Sequence, residues 1–225
     1  MTSLPDAMKP AVTEVERAAI ERYSARFQKF GTDPRTLGWD TRTNQEIRFA
    51  AVASLIDCRG KALLDIGCGF GDFYDFLSRL RIEPASYLGI DINPTLLDAA
   101  RSRSDSRVRY ERRNLLTDPF PTPVADVGVM LGVLNFRLAT MNNIHYADAM
   151  IGAAFAAVRE ALVVDFLSAE RVRHYPEESF VFYYRPEERL AAALALTSDV
   201  VLKHDYPAIP QKEFALVLRK APACG

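Results

Sequence analysis

The stretch Lys61-Ala-Leu-Leu-Asp-Ile-Gly-Cys-Gly-Phe-Gly-Asp72 carries the clearest structural signal in this 225-residue chain. It begins as a short apolar segment and runs directly into three glycines at alternate positions, Gly67, Gly69 and Gly71. Glycine allows the backbone to turn sharply and allows a ligand to contact the main chain. A helix that opens after such a turn offers unpaired N–H groups to an acceptor. The stretch therefore predicts a strand–turn–helix unit that binds a ligand.

The spacing of the glycines distinguishes between classes of nucleotide-binding turn. A dinucleotide fingerprint, G-x-G-x-x-G, needs glycine where this chain has Asp72. A phosphate-binding P-loop needs a Gly-Lys-Ser/Thr sequence, which does not follow here. Asp65 lies two residues before the first glycine, and the next apolar segment ends in Asp91, where a ribose diol would be bound. The pattern favours a nucleoside ligand over a nicotinamide dinucleotide.

The segments Leu63-Leu-Asp-Ile-Gly-Cys-Gly-Phe-Gly71 and Leu88-Gly-Ile-Asp-Ile-Asn93 together resemble the cofactor site of class I S-adenosylmethionine-dependent methyltransferases. In strand and helix order the resemblance extends from about Lys61 to Lys220. It implies an α/β, Rossmann-like fold with a doubly wound, seven-stranded, mostly parallel sheet of order 3-2-1-4-5-7-6, in which the last strand is antiparallel. The alternative is another doubly wound nucleotide-binding protein with the same turn.

The resemblance also implies a cofactor, S-adenosyl-L-methionine or its product S-adenosyl-L-homocysteine, and a set of residues that bind it. These are Asp65, Gly67, Gly69, Gly71, Asp91, Ile92, Asn114, Leu115 and Gly132. Asn114 stands where family members usually carry an acid that meets the adenine amino group, and its amide oxygen still accepts a hydrogen bond. Arg48 is predicted to bind the methionine carboxylate, because the glycine turn supplies only N–H groups. A surface charge is the alternative for Arg48.

The segment before the first strand predicts helices. Apolar residues from Val12 to Phe30 follow one helical face, and Thr13 and Glu16 have the spacing of a capping box. We expect residues 1–57 to form a helical extension, which is either a lid over the cofactor or a cover for an exposed sheet face.

Residues 58–225 are expected to form the methyltransferase domain, with an insertion at about 168–185. Residues 199–206 and 213–219, joined by a proline-bounded turn, predict an antiparallel hairpin. A reversed last strand supports the family, since dinucleotide-binding dehydrogenase domains generally lack one.

The acceptor is expected at the carboxyl end of the apolar run 124–134, because open α/β sheets bind ligands at that edge. A hydroxyl acceptor needs a general base, whereas an amine that is already deprotonated does not. The candidate catalytic residues are His174, His204 and Asn135, although a lone histidine is more often structural. The candidate substrate-binding residues are Asp165, Tyr175, Phe182 and Tyr183, most of them aromatics of the insertion, which predicts a lid.

The amino-acid composition of the chain limits the kinds of partner that we expect it to bind. The 28 basic and 29 acidic residues nearly cancel, so nothing global indicates nucleic acid or an anionic membrane. The arginines between residues 101 and 113 are locally dense, and a solvated charged face is favoured over RNA contact. The three cysteines lack CxxC spacing and indicate reduced thiols in the cytoplasm. The sequence contains no metal-ligand motif, no apolar core of a signal peptide and no apolar run of membrane-spanning length. Nothing in the sequence excludes a homo-oligomer.

The sequence thus predicts an enzyme that methylates an oxygen or nitrogen of a small molecule. One alternative keeps the cofactor and changes the acceptor to RNA or a protein side chain. The other is a non-catalytic binding or partner protein that retains the fold.

Overall fold

The structure, a computed structural model, describes residues 8–102, 106–170, 176–205 and 213–221. Within these ranges the helices are α1 (Lys9–Phe30), a short 3₁₀ helix (Pro34–Leu37), α2 (Arg42–Ala53), α3 (Asp72–Arg79), α4 (Pro94–Arg101), α5 (Asn143–Ala156) and α6 (Pro186–Leu194). The strands are β1 (Ala62–Ile66), β2 (Ser86–Asp91), β3 (Val108–Arg112), β4 (Ala125–Met130), β5 (Val158–Leu167), β6 (Asp199–Lys203) and β7 (Glu213–Arg219).

The strands form one seven-stranded sheet of order β3-β2-β1-β4-β5-β7-β6. Neighbouring strands from β3 to β5 pair in parallel, and β7 runs antiparallel to both β5 and β6. This arrangement confirms the predicted fold class, including the reversed last strand. Residues 206–212, which contain the proline-bounded turn predicted between β6 and β7, lie outside the described residues.

The sheet is buried on both faces because successive side chains of a strand point to opposite sides. In β1, Leu63 packs with α2 and α3 through Phe49 and Phe73, whereas Leu64 packs on the other face with the α5 residue Ile151. Leu63 and Leu64 are at most 1% exposed. Full burial of one such side chain contributes about 1.5–3 kcal/mol, so both layers are firmly attached to the sheet.

Helix α1 begins earlier than its sequence suggests. The predicted capping box at Thr13 and Glu16 is wrong, because the helix starts at Lys9, with Pro10 in its first turn, where a missing N–H costs nothing. The Thr13 hydroxyl donates back to the Lys9 carbonyl at 3.0 Å. Glu16 instead accepts a hydrogen bond from Asn114 at 2.7 Å, which ties α1 to the loop after β3.

Two further features concern the described ranges only. No helix there combines the length and the apolarity that a membrane crossing requires. His, Cys, Asp and Glu side chains in the same ranges form no group of three or more suited to a metal ion. Cys58 and Cys68 are buried free thiols.

Candidate active site

The main cavity lies at the carboxyl ends of β1, β2 and β4 and has a volume of about 390 Å³. Helix α1, the 3₁₀ helix and the start of α2 cover it, and the loop 131–140 after β4 closes one side. Small-molecule sites usually measure about 300–1,000 Å³, so this cavity is of the size that holds a small ligand. Its position is the one that an open α/β sheet uses for ligands.

The glycine turn after β1 forms the floor of the cavity. Gly67, Gly69 and Gly71 have φ angles of +74°, +54° and +77°, a region that other residues rarely adopt. A Cβ added to Gly67 would lie 2.5 Å from a methyl carbon of Val133, and one on Gly71 would collide with the Tyr110 hydroxyl. Glycine is therefore required here both for the turn and for the close approach of neighbouring groups.

Asp91, at the end of β2, is fixed by the backbone around it. Its carboxylate accepts hydrogen bonds from the N–H of Gly69 at 3.0 Å and of Asn93 at 2.8 Å. Burial raises the pKa of Asp91, and the backbone hydrogen bonds oppose that shift. Asp91 and the adjacent Ile92 both line the cavity. A carboxylate held in this way accepts further hydrogen bonds from a diol.

Two more carboxylates lie under the turn. Asp65 is 3% exposed and accepts a hydrogen bond from the Tyr87 hydroxyl, and burial raises its pKa to about 7. Asp72 accepts a hydrogen bond from Nε2 of Gln45 at 3.0 Å. Oε1 of Gln45 is buried and has no hydrogen-bond partner among the described residues, although Gln45 lines the cavity. An unsatisfied buried acceptor beside a carboxylate suits a ligand with a cationic donor such as an ammonium group.

Asn114 and Leu115 line the cavity beyond β3. Oδ1 of Asn114 accepts from the N–H of Leu116 at 3.0 Å, while its Nδ2 donates to Glu16 of α1. Asn114 thus joins the cavity wall to its cover. An amide oxygen has a second lone pair, so Asn114 retains capacity for one more donor.

Arg48 lies behind the cavity rather than in its lining. Its guanidinium pairs with Asp165 at 3.1 Å and bonds Glu213 through Nε at 2.7 Å, and it lies 4.1 Å from the centroid of the Trp39 ring. Asp165 also accepts the N–H of Gly132 at 2.6 Å. Burial raises the pKa of Asp165, and Arg48 opposes that shift. The structure therefore places Arg48, Asp165 and Gly132 together, with Glu213 as a partner that the sequence did not indicate.

The predicted acceptor residues after β4 and β5 form a packed support. Oδ1 of Asn135 accepts from the N–H of Leu167 at 3.3 Å, and its carbonyl accepts from Phe182 at 3.0 Å. Phe182, Tyr183, Asn135 and Asp165 do not line the cavity. The described part of the insertion, residues 176–185, packs on the loop after β4 through such contacts.

The structure describes one of the two candidate histidines, His204, and not the other, His174. Nε2 of His204 lies 2.9 Å from the hydroxyl of Ser168, a fully buried residue, and His204 does not line the cavity. His174, like Tyr175, lies outside the described residues. Neither assignment is tested, and both stay predictions.

Sequence reasoning missed three cavity residues, Arg22, Tyr23 and Phe136, as functional candidates. Tyr23 was on the apolar face of α1, where it indicated only packing. Arg22 is adjacent to that face in sequence, and no pattern singled it out. Burial raises the pKa of Tyr23, and the negative charge of Asp91 adds to the shift. The signal that could have found them is the position of α1 itself, since any helix that covers the strand ends contributes side chains to the site.

Residues 63–163 match a protein-family model described as a methyltransferase domain. No curated protein matches the chain in sequence. Among solved structures, the chain is similar to magnesium protoporphyrin IX methyltransferase (ChlM) from Synechocystis PCC 6803 with bound SAM, at 14% identity and TM-score 0.67, over 98% of this chain and 100% of that chain.

Two further solved structures have comparable similarity. One is phosphoethanolamine N-methyltransferase 1 of Haemonchus contortus with phosphoethanolamine and S-adenosylhomocysteine, at 14% identity and TM-score 0.67, over 94% of this chain and 50% of that chain. The other is a complex of the Haloferax volcanii Trm112 methyltransferase activator with a methyltransferase, at 12% identity and TM-score 0.65, over 92% of this chain and 98% of the matched chain. At these identities the similarity concerns the fold.

Proposed function

We propose that this chain is a class I S-adenosylmethionine-dependent methyltransferase, because residues 63–163 match a methyltransferase-domain model and the sheet has the order that this family resemblance implies. It transfers the methyl group of the cofactor to an oxygen or nitrogen of a small-molecule acceptor. The family and its cofactor are those that the glycine turn predicted. The observation that carries the proposal is the cavity under α1, which adjoins the glycine turn, Asp91 and the loop after β4 at the edge of the sheet where ligands bind.

The residues present fit the cofactor. Asp91 has free lone pairs for a ribose diol, and the turn at Gly69 lets a ligand approach the main chain. The unsatisfied Oε1 of Gln45, next to Asp72, suits the ammonium of the methionine part. Asn114 and its neighbours at the end of β3 are proposed to meet the adenine.

A small-molecule acceptor is supported by the pairing of the charges between residues 101 and 113, of which Arg113 lines the cavity. The described arginines between residues 101 and 113 each contact a carboxylate: Arg101–Asp98 at 2.8 Å, Arg107–Glu83 at 3.2 Å, Arg109–Glu111 at 3.1 Å, Arg112–Glu16 at 3.6 Å and Arg113–Asp118 at 2.7 Å. RNA binding depends on uncompensated cations that contact phosphates. This surface instead has its cations paired with acids, and α1 restricts access to the strand ends.

The chain's own contribution to the reaction is positioning. When bound, the cofactor supplies an electrophilic methyl group on a sulfonium. Holding the acceptor in line with that group supplies up to about 7–11 kcal/mol of the barrier. Among the described residues that line the cavity there is no histidine, so a base for a hydroxyl acceptor would come from a carboxylate such as Glu14 or from His174. An amine acceptor that is already deprotonated would need neither.

The proposal includes a cytoplasmic location. The buried free thiols of Cys58 and Cys68 support it, since exported proteins tend to oxidise their cysteines to disulfides.

The test measures whether the protein binds the cofactor and which class of molecule it methylates. Calorimetric titration should show that S-adenosylhomocysteine binds the purified chain and that NAD does not. The protein is then incubated with methyl-labelled cofactor and a cell extract divided into small-molecule, RNA and protein fractions. We expect label in the small-molecule fraction only.

The matched control variants are Asp91→Ala, which removes the proposed ribose contact, and Asp98→Ala, which removes an exposed carboxylate of α4 that pairs with Arg101. Only the first should reduce labelling. Label in RNA or protein would overturn the acceptor class. Absence of S-adenosylhomocysteine binding would overturn the cofactor assignment.

A further inference from the structure

Helix α1 presents one cation to the cavity beside the loop that follows β4. Arg22 lines the cavity, and its Cζ lies 3.9 Å from the centroid of the Phe136 ring and 5.0 Å from that of Phe180. Phe180 belongs to the insertion and is 47% exposed, so the pair of rings lies where the cavity meets the surface. Aromatic faces hold a guanidinium in place without neutralising its charge.

The guanidinium of Arg22 has no direct partner within the described residues. Arg22 forms no ion pair there, and its Nε is buried without a hydrogen-bond partner. Burial lowers the pKa of Arg22, and the opposing effects of Tyr23 and Glu178 are smaller. A desolvated cation without an acceptor is costly, so this arrangement suits a ligand that brings negative charge.

The other arginines that line the cavity differ from Arg22. Nη1 of Arg113 bonds the carbonyl of Asp118 at 2.8 Å and pairs with its carboxylate. Arg137 donates to the carbonyls of Ser179 and Val181, both at 3.1 Å. Both guanidinium groups fix loops. The Nε of Arg113 is also buried without a hydrogen-bond partner, but its two Nη groups pair with Asp118 and Glu111. Arg22 differs because none of its donors has a hydrogen-bond or ion-pair partner within the described residues.

Arg22 lies at the acceptor end of the cavity. Three of the lining acids lie where the cofactor is proposed to bind: Asp65 in β1, Asp72 at the start of α3 and Asp91 at the end of β2. The fourth, Glu14, belongs to α1 and pairs with Arg17. Phe136 lies four positions after Gly132 in the loop that follows β4, on the side assigned to the acceptor. The same loop contributes the apolar residues Leu138 and Ala139 to the wall, together with Arg137 and Thr140. The geometry thus combines apolar wall residues with a cation that has no partner among the described residues.

We propose that Arg22 recognises an anionic oxygen group, a carboxylate or a phosphate, on an acceptor whose apolar body packs against Phe136. This inference rests on the proposed function, because it assumes that the acceptor occupies the cavity together with the cofactor. The planar guanidinium donates two parallel N–H bonds to such a group, and Phe136 and Phe180 keep the fork oriented.

The test uses protein saturated with S-adenosylhomocysteine and three probes, benzoate, phenyl phosphate and the neutral isostere benzamide. Dissociation constants are measured by calorimetry or ligand-observed NMR. One or both anions should bind about ten-fold or more tightly than benzamide. Arg22→Gln should remove that preference, Arg22→Lys should restore part of it, and Arg109→Gln, which removes an exposed charge paired with Glu111, should leave it unchanged. The stronger of the two anions identifies the acceptor group as carboxylate or phosphate.

Three outcomes overturn the inference. The first is equal binding of the anions and benzamide, or no binding of any probe. The second is an anion preference that survives in Arg22→Gln. The third is a loss of S-adenosylhomocysteine affinity in Arg22→Gln with unchanged affinity for 5′-methylthioadenosine, which would assign Arg22 to the cofactor carboxylate. If the wild-type protein fails to bind S-adenosylhomocysteine at all, the proposed function fails first, and the two failures are distinguishable.

Discussion

The two ends of the cavity are built in different ways. At the ends of β1 and β2, backbone groups form the site: glycines with positive φ, and Asp91 held by the N–H groups of Gly69 and Asn93. At the ends of β4 and β5 and the start of β7, buried side chains form the support, with Arg48 of α2 between Asp165 and Glu213.

The two ends of the cavity differ in how far apart in sequence their contacting residues are. Gly69 and Asp91 are 22 residues apart, whereas Arg48 and Glu213 are 165 residues apart. The first end is a local strand–turn–helix motif with a fixed ligand geometry. The second exists only once the whole sheet has assembled, so it links folding of the last strand to the shape of the acceptor side.

The largest expected effect is at the assembled end. Arg48→Ala leaves the carboxylates of Asp165 and Glu213, both with 0% side-chain exposure, without their cation. Removing one partner of a buried ion pair costs about 3–5 kcal/mol, because the remaining charge is uncompensated. We expect a loss of that size in the free energy of unfolding, measured by urea denaturation at neutral pH.

The matched control is Arg79→Ala, which breaks an ion pair with Glu46 at 2.8 Å in which the arginine side chain is 53% exposed. Exposed pairs contribute about 0–1 kcal/mol, so this variant should be nearly neutral. Equal losses in the two variants would contradict the structural role of Arg48. The predicted carboxylate contact is tested separately: it requires that Arg48→Ala weaken binding of S-adenosylhomocysteine more than binding of 5′-methylthioadenosine, which lacks the carboxylate.

The contrast between the two ends also explains what the sequence could predict. The glycine turn, Asp91 and the final hairpin follow from local patterns, and the strand order follows from the family resemblance that the first two of these patterns carry. Arg48 was predicted to bind the methionine carboxylate or to be a surface charge, and its partners Asp165 and Glu213 could not be named, because nothing in the spacing of residues 48, 165 and 213 indicates contact. Arg22 was missed for a related reason, since the apolar stripe of α1 does not reveal which part of the sheet the helix crosses.

The second prediction concerns the local end. Asp91→Ala removes the acceptor proposed for the ribose diol, and hydrogen bonds to a charged group contribute about 1.5–3 kcal/mol. We expect the dissociation constant of S-adenosylhomocysteine to rise roughly 10- to 100-fold, measured by calorimetry. Asp91→Asn, which keeps one carbonyl acceptor, should lose less. Unchanged affinity in Asp91→Ala would mean that the ribose is bound by another group.

The last prediction is a pH dependence of stability that belongs to the local end. Burial raises the pKa of Asp65 to about 7, and its hydrogen-bond donor is the neutral Tyr87 hydroxyl rather than a cation. An unfolded aspartate titrates near pH ~3.9, so between these values the folded protein retains a proton that the unfolded chain has lost. The stability contributed by protonated Asp65 is therefore present at low pH and is lost as pH rises toward the folded pKa.

Replacing Asp65 by asparagine removes this titration while keeping an acceptor for Tyr87. The wild-type free energy of unfolding should fall relative to that of Asp65→Asn as pH rises, by at most about 1.4 kcal/mol per pH unit, and the difference should level off above about pH 7. Urea unfolding of both proteins from about pH 5 to about pH 8 measures it, and taking the difference cancels the titration of groups common to both. If the difference in unfolding free energy between the two proteins does not vary with pH, Asp65 is ionised in the folded protein. The local end would then contain a buried carboxylate whose charge is stabilised, as those of Asp165 and Glu213 are at the assembled end.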